Sequence, residues 1–332
     1  MFKKTIILLA LATVAIIGGC KSDGPSAGTT GSSGPADGKK YKIGVSIPAA
    51  DHGWTAGVGY WAKEAEKLHP NIEWTIETAL TPDEQITDLQ NLQSQGMDAM
   101  VILAVDSAPV TPMAKTLHDA GMLIVNVDRG FTDTTIADVF IAGDNSAFGR
   151  KAAEFMAAKL GGSGNIVILA GIAGTNVSKE RVAAFRKVME DYPNIKIVAE
   201  EAADWNREKA DKVMQNILTA NPKIDAVWAS DDDMALGAEN AIKQAGREKE
   251  MWMLGGAGMK DIVKRVMDGD AMYPANVTYP PSMIALGMQT AAGILTAGRE
   301  KVMQFMPKRI ILDVDLITPE NAKNFYFPDS IY

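Results

Sequence analysis

Five segments with the composition of β-strands are each followed by a side chain that can hydrogen-bond or stack. These side chains are Asp51 after VSI, Asp106 after VILAV, Asp128 and Arg129 after LIVNV, Trp205 after IVAEEAAD, and Asp231 after AVWAS. Carboxylates accept hydrogen bonds, a guanidinium group donates several of them, and an indole ring covers an apolar surface. The chemistry open to such a set is the recognition of a small polar molecule.

Each of these residues also has a purely structural interpretation. Asp51, Asp106 and Asp231 stand where aspartate commonly caps a helix, and Arg129 can pair with Asp128 at the surface. Short polar residues dominate such turns in any protein. For any one residue the structural interpretation is the better one, so the prediction of a site rests on all five strand ends together.

Short runs rich in β-branched residues alternate with longer amphipathic segments along the chain. The first series runs from YKIGVSI to LIVNVD, and the second from NIVILAG to MWMLGG. Thr81 and Pro82 mark the start of one helix, because threonine caps it and proline occupies its first turn. The alternation predicts an α/β fold of two doubly wound lobes with parallel sheets. Such sheets bind ligands beyond the carboxyl ends of their strands, and two lobes leave a crevice between them.

The start of the chain carries a targeting pattern. Two lysines precede an apolar run from Thr5 to Ile17, which is shorter than the roughly 20 residues that span a bilayer, so residues 1–19 are predicted to be a signal peptide. The ending IGGC resembles a bacterial lipobox and predicts lipidation of Cys20; the alternative is an ordinary signal peptide with an incidental cysteine. Residues 20–40 are rich in Gly, Ser and Pro, and are expected to form a flexible tether outside the cytoplasm.

Composition and charge oppose two classes of function. The formal net charge is −8, and loss of Lys3 and Lys4 with a signal peptide lowers it by two, to −10, which disfavours nucleic-acid binding. The three histidines, His52, His69 and His118, and the single cysteine offer little for nucleophilic or metal chemistry. Neither GGSGN nor GIAGT matches a phosphate-binding loop. We therefore expect no catalysis, no cofactor and no metal.

Several longer stretches resemble one family. In order, VNVDRG, AGDNSAFGRKAAEFMAAKL, GIAGTNVSKERVAAF, ADWNREKADKVMQNILTANP and DDDMALGAENAIKQAG resemble the periplasmic monosaccharide-binding proteins of ABC importers, particularly the ribose-binding type. The resemblance covers nearly all of residues 41–316. It implies a periplasmic binding protein type I fold, in which a hinge of three segments joins two Rossmann-like lobes.

The resemblance also implies lobe boundaries. The chain is expected to cross between the lobes near Gly143, Tyr279 and Gln304. The resulting lobes are residues 41–143 with 280–303, and residues 144–279 with 304–332.

A set of ligand contacts follows from the same resemblance. The family's aspartate–arginine pair falls on Asp128 and Arg129, and its later arginine falls on Arg181. Its stacking aromatics near the first helix fall on Gly53 and Trp54, so one ring is missing here. The full set of expected contacts is Ser46, Asp51, Trp54, Asp106, Asp128, Arg129, Arg181, Trp205, Asp231 and Tyr279.

Some positions depart from the ribose-binding pattern. An aspartate expected in GFDG is Ala257, and a glutamine expected after a hinge strand is Tyr279. Asp106 is the nearest polar substitute for an asparagine that aligns with Ala104. Losing a carboxylate removes an acceptor for hydroxyl groups, whereas tyrosine adds a ring. We expect that ribose is not the best ligand and that another pentose, a deoxy sugar or a linear polyol fits better.

These inferences predict a lipid-anchored, extracytoplasmic, monomeric receptor that captures a small neutral monosaccharide or polyol and delivers it to the membrane subunits of an ABC permease. Asp51, Asp128 and Asp231 set against Arg129 and Arg181 give the expected contacts a net charge of −1, which argues against an anionic ligand. The alternative is a receptor that presents a sugar or autoinducer to a sensory partner. A sugar-responsive repressor is not expected, because the signal and tether stand where its DNA-binding domain would be.

Overall fold

The computed structural model describes residues 39–332. The predicted signal peptide, Cys20 and nearly all of the predicted tether therefore lie outside the described residues. Among residues 39–332, no helix combines the length and the apolar character that crossing a bilayer requires.

Strands and helices alternate through most of the described chain. The strands are β1 (Tyr41–Pro48), β2 (Ile72–Ala79), β3 (Ala99–Ile102), β4 (Leu123–Val127), β5 (Val139–Gly143), β6 (Ser163–Ala170), β7 (Asn194–Ala202), β8 (Ala226–Ala229), β9 (Trp252–Leu254), β10 (Asn276–Val277), β11 (Arg309–Leu312) and β12 (Leu316–Ile317). The helices are α1 (Gly53–Lys67), α2 (Pro82–Ser94), α3 (Ser107–Asp119), α4 (Asn145–Lys159), α5 (Asn176–Met189), α6 (Arg207–Ala220), α7 (Asp232–Gln244), α8 (Lys260–Met267), α9 (Met283–Ala297) and α10 (Arg299–Met303), and a 3₁₀ helix spans Ala322–Asn324.

The first lobe is built on a parallel sheet with the strand order β11-β5-β4-β3-β1-β2. Helices α1 and α9 pack together on one face, where α9 contacts the central strands, and α2 and α3 pack on the other face. In β3, Ala99 and Val101 belong to one apolar cluster, whereas Met100 and Ile102 belong to the other. A strand that is buried on both faces needs an unbroken apolar run, which is why AMVIL shows no alternation.

The second lobe is built on a parallel sheet with the strand order β7-β6-β8-β9. Its helices pack in the pairs α4 with α5 and α6 with α7. A Cβ atom added to Gly149 in α4 would lie 2.0 Å from the backbone oxygen of Arg181 in α5. Glycine thus permits the close crossing that fixes the backbone of Arg181. The expected α/β fold of two lobes with parallel sheets is confirmed.

The chain was expected to return to the second lobe near Gln304. This is wrong for residues 309–312, which belong to the first lobe. Residues 309–312 form β11, which pairs in parallel with β5 in the first sheet, with Arg309 opposite Phe140. The next strand, β12, pairs with β10 in a separate antiparallel sheet, so the chain leaves the first sheet between Leu312 and Leu316. The physical reason is the exposed edge of β5, whose backbone groups are satisfied by the RIIL run.

Gln85 shows how the first lobe holds a loop in place. The side chain is fully buried, and its Nε2 donates to the Ser46 hydroxyl at 3.0 Å and to the Leu103 carbonyl at 2.9 Å. Its Oε1 accepts from the Val105 backbone amide at 2.7 Å. The helix that carries it begins as predicted, with Thr81 as its N-cap and a proline in its first turn. One amide therefore ties α2 to β1 and to the loop after β3.

We predict that Gln85→Ala lowers the free energy of unfolding by about 2–4 kcal/mol, because it leaves the buried Leu103 carbonyl and the half-buried Val105 amide unpaired, at about 1–3 kcal/mol each. Urea unfolding with an unchanged m-value is the measurement. Gln90→Ala is the matched control, since Gln90 is exposed on the same helix. Equal losses in the two variants would contradict the assignment.

Candidate functional site

A cavity lies between the two lobes. Seven of the ten predicted contacts line it: Trp54, Asp128, Arg129, Arg181, Trp205, Asp231 and Tyr279. Three further residues complete the lining: His52, Val177 and Ala257. The sequence thus identified most of the polar groups that the tertiary structure brings together.

Tyr279 connects several polar groups at the cavity. Its hydroxyl donates to Asp128 Oδ1 at 2.5 Å and accepts from Asn145 Nδ2 at 3.3 Å. Its carbonyl accepts from Trp54 Nε1 at 2.9 Å. Burial, reinforced by the Asp128 carboxylate, raises the pKa of Tyr279 well above its usual value. The side chain therefore stays neutral and holds Asp128, which comes from the first lobe.

The close fit of Tyr279 depends on Gly143 at the end of β5. A Cβ atom there would lie 2.2 Å from the tyrosine ring, so any side chain would displace the ring. Phe148 meets the same ring edge-on with centroids 6.1 Å apart. Tyr279 is thus held by its neighbours on several sides.

Arg181 is oriented by bonds at one end of its guanidinium group. Nε donates to Asn145 Oδ1 at 2.9 Å, and Nη1 donates to the Ser230 carbonyl at 2.7 Å. The group lies 3.9 Å above the Phe148 ring and 4.3 Å above the Tyr279 ring. Within the described residues Nη2 makes no hydrogen bond, so it is the donor that remains for a ligand.

Arg129 reaches across the cleft. Its Nη1 donates to the carbonyls of Ala104 and Val105 at 3.3 and 2.8 Å. Its guanidinium carbon lies 5.5 Å above the ring of Trp205, which comes from the second lobe. Among the described residues its buried Nε has no hydrogen-bond partner. A buried donor without a partner is costly, and a ligand oxygen would satisfy it.

Strained backbone is concentrated at this cavity. Within residues 39–332, the non-glycine residues with positive φ are Asp128, Asp204, Trp205 and Ala257, at 60°, 54°, 55° and 87°. Three of them line the cavity. Non-glycine side chains rarely adopt this conformation, and such strain is typical of binding sites. The Trp205 ring also occupies space that exists only because residue 171 is glycine, where a Cβ atom would lie 2.2 Å away from it.

Asp231 fits both of its sequence-based interpretations, as the cap of a helix and as a residue of the site. It is the N-cap of α7, where Oδ1 accepts from the Met234 amide at 2.9 Å, and it is also part of the cavity lining. Burial raises the pKa of its carboxyl to about 7; the neighbouring Asp233 adds to this effect, whereas His52 and Arg181 oppose it. The helix-cap interpretation and the site interpretation are thus compatible.

Three expected contacts do not line the cavity. Ser46 is buried and accepts from Gln85. Asp51 has a side chain that is 60% exposed. Despite partial burial, hydrogen bonds from His52 and Thr55 lower its pKa to about 2. Both residues serve the local structure of the first lobe.

Asp106 is the third of these residues. It caps α3 by accepting from the Ala108 amide at 3.2 Å. It lines a wider groove beside the cavity that also includes Asp128 and Arg129. With Asp51 outside, two carboxylates and two guanidinium groups line the cavity, so their formal charges sum to zero and not to the expected −1.

The lining includes residues for which the sequence carried weak signals. His52 follows directly after the expected contact Asp51, and Ala257 is one of the departures from the ribose-binding pattern. Val177 is apolar at the start of α5 and gave no signal. Asn145, which orders both Arg181 and Tyr279, lies within the GDNSAFG stretch but resembles any helix-start asparagine.

Comparisons with known proteins identify the family to which this chain is similar. A family model described as a periplasmic binding protein domain matches residues 43–300. The ribose import binding protein of Escherichia coli (strain K12) is 33% identical over 246 residues, which cover 74% of this chain and 80% of that protein.

Two solved structures share the fold. The periplasmic binding protein of the arabinose ABC transporter from Shewanella sp. ANA-3, bound to α- and β-L-arabinofuranose, has a TM-score of 0.78 and 29% identity, covering 86% of this chain and 94% of that one. The fructose-binding periplasmic domain of a hybrid two-component system has a TM-score of 0.76 and 29% identity, covering 86% and 92%. The chain therefore belongs to the periplasmic binding protein family, among its type 1 sugar-binding proteins.

Proposed function

We propose that the protein is an extracytoplasmic, lipid-anchored, monomeric receptor that captures a small neutral sugar or polyol in the interlobe cavity and delivers it to an ABC permease. The observation that carries this proposal is the lining itself. It combines carboxylates, guanidinium groups and aromatic rings whose formal charges balance. Hydroxyl groups can satisfy both donors and acceptors of such a set, while the rings cover the C–H faces.

Binding is coupled to closure of the lobes. Asp128 and Arg129 come from the first lobe, and Arg181, Trp205 and Asp231 come from the second. A ligand that contacts both groups has more favourable interactions in the closed arrangement, so it shifts the population towards that arrangement. A permease partner would then distinguish the closed receptor from the open one.

The lining favours a ligand other than ribose. Ala257 brings no acceptor to the cavity, and the Tyr279 hydroxyl is already engaged with Asp128. The cavity therefore offers fewer acceptors than the ribose-binding pattern. A pentose of different configuration, a deoxy sugar or a linear polyol matches this balance better.

A sensory role is the second candidate. The observation in its favour is the similarity to the fructose-binding domain of a hybrid two-component system, in which a binding domain of this fold serves a sensor. Both roles share the same ligand step and differ in the partner. Neighbouring genes for a permease would favour transport.

The first test is a thermal-shift screen of aldoses, ketoses and polyols, followed by calorimetry. A ligand at 100 times its dissociation constant should stabilise the fold by about 2.7 kcal/mol.

We predict that Arg181→Ala weakens binding at least tenfold, because each lost charged hydrogen bond costs about 1.5–3 kcal/mol.

Arg186→Ala is the matched control for this test, since Arg186 lies on the same helix in an exposed pair with Glu200. Wild-type affinity in a folded Arg181→Ala variant would contradict the site. A response to amino acids or sugar acids alone would contradict the neutral ligand, and a largest shift with ribose would contradict the preference against ribose.

A second prediction concerns pH. Burial in the folded protein raises the pKa of the Asp231 carboxyl from its ordinary value of 3.8 to about 7. Its stabilising contribution is therefore complete below about pH 4 and is lost as the pH rises through about 7. In the unliganded protein we expect the free energy of unfolding to fall over this range by at most about 4 kcal/mol.

Asp231→Asn should remove most of that fall, because the amide has no proton to lose and can still accept from Met234. Urea unfolding at about pH 5 and about pH 8 measures the difference. Asp261→Asn is the control, since Asp261 is exposed on α8. A wild-type protein whose pH dependence equals that of Asp231→Asn would refute the assignment.

A third prediction concerns Cys20. We expect the full chain to incorporate labelled fatty acid in a bacterial host and to fractionate with membranes, because several acyl chains hold a protein stably. Cys20→Ser should lose both the label and the membrane association. Equal labelling of the two proteins would exclude the anchor, while leaving the ligand site untouched.

A further inference from the structure

The segment Phe325–Tyr332 is held on the second lobe. Lys260 Nζ, at the start of α8, donates to the Ser330 carbonyl at 2.6 Å. The Ser330 amide closes a turn onto Phe327 O at 3.1 Å, and its hydroxyl accepts from the Tyr332 amide at 3.2 Å. Ser330 is buried, so these bonds are protected from water. The segment thus carries Tyr332 as part of the second lobe.

The side chain of Tyr332 contacts the first lobe. A Cβ atom on Gly53 would lie 3.0 Å from ring atoms Cδ2 and Cε2, and one on Gly57 would lie 3.0 Å from the tyrosine Cβ. Positions 53 and 57 are four residues apart on α1, so the two glycines share one face of the helix. Their missing side chains leave the space that Tyr332 fills.

The same place contains a direct bond between the lobes. The Gly53 amide donates to Asp233 Oδ2 at 2.8 Å, and Asp233 Oδ1 accepts from Arg207 Nη2 at 2.7 Å. Tyr332 is only 6% exposed beside this contact. An apolar ring that excludes water strengthens a charged hydrogen bond next to it.

The hydroxyl of Tyr332 has no hydrogen-bond partner among residues 39–332, although it is buried. Burial raises the pKa of Tyr332 well above its usual value; the carboxylates of Asp232, Asp231 and Asp233 add to this effect, whereas Arg181 opposes it. Of these, Asp231 and Arg181 line the ligand cavity. A buried hydroxyl without a partner costs about 1–3 kcal/mol, so the packing of the ring has to offset this cost.

We propose that Tyr332 is a closing wedge of the binding cleft: it travels with the second lobe, seats in the Gly53–Gly57 face of α1 when the lobes close, and thereby raises ligand affinity by stabilising the closed arrangement. The affinity part of this inference rests on the proposed function. The seating of Tyr332 on α1 does not, because it follows from contacts within the chain. The wedge also supplies an aromatic ring where α1 itself has glycine.

The test measures the distance between the lobes. Spin labels are placed on exposed sites by Lys63→Cys in α1 and Lys212→Cys in α6, in the full chain carrying Cys20→Ser. Double electron–electron resonance is recorded without sugar and with D-ribose, L-arabinose, D-fructose or xylitol at millimolar concentration. Circular dichroism confirms that each variant is folded.

We expect Tyr332→Ala to move the distance distribution towards the open arrangement and to weaken binding of the responding sugar at least threefold. Tyr332→Phe should keep the closed distances, because the ring does the packing. Phe327→Ala is the matched control on the same segment, since Phe327 is 59% exposed. Gly53→Ala should open the protein from the opposite side, because its methyl group would lie 2.8 Å from Asp233 Oδ2 and 3.0 Å from the Tyr332 ring.

A folded Tyr332→Ala variant with wild-type distances, with and without sugar, would overturn the wedge. Opening in Phe327→Ala of the same extent would also overturn it, because the effect would then belong to the segment and not to the ring. If neither these four compounds nor any compound of the thermal-shift screen changes the wild-type distances or thermal stability, the proposed function fails. The comparison of sugar-free variants still decides the wedge in that case.

Discussion

The arrangement of the cleft depends on the hydrogen bond from the Tyr279 hydroxyl to Asp128. Tyr279 follows β10, and Asp128 follows β4 of the first sheet. The same ring is stacked by Arg181, and the same hydroxyl accepts from Asn145 at the start of α4. Tyr279 therefore orients polar side chains from both lobes at once.

The hydrogen bonds around Tyr279 explain how buried charged side chains of the cavity are held in fixed positions. Arg181 is fixed by Asn145 and by a backbone carbonyl, so its remaining donor points in a defined direction. Asp128 is held by a neutral phenol at Oδ1, and Arg129 Nε lies 3.9 Å from its Oδ2. Preorganised polar groups of this kind lose little entropy when a ligand arrives. The energetic cost of this preorganisation lies instead in the strained backbone at Asp128, Trp205 and Ala257, where φ is positive.

In both lobes, buried residues that do not line the cavity hold the loops that carry the lining residues. Gln85 ties Ser46 and Val105 together beneath the site without lining the cavity. Asp232 does the same in the second lobe, since it accepts from the amides of Gly256 and Met259 at 2.8 Å each. Buried polar groups with several satisfied bonds rigidify a core and fix one arrangement of its loops. The strand ends can then carry side chains that would be unstable on a mobile loop.

The sequence by itself determined the α/β class, the helix start at Thr81 and the set of strand ends that carry the chemistry. These features are local, because periodicity, capping and turn residues act over a few positions. It also located Asp128, Arg129, Arg181, Trp205 and Asp231, whose motifs resemble a known family.

Only the tertiary structure decided which of these groups meet. It directed Ser46 to Gln85, left Asp51 largely exposed, and placed Asp106 in the neighbouring groove. It put β11 beside β5 and the Tyr332 ring against Gly53. The physical reason is that edge pairing, close approach to a glycine and burial of a charge depend on residues far apart in the chain, whose proximity no local pattern encodes.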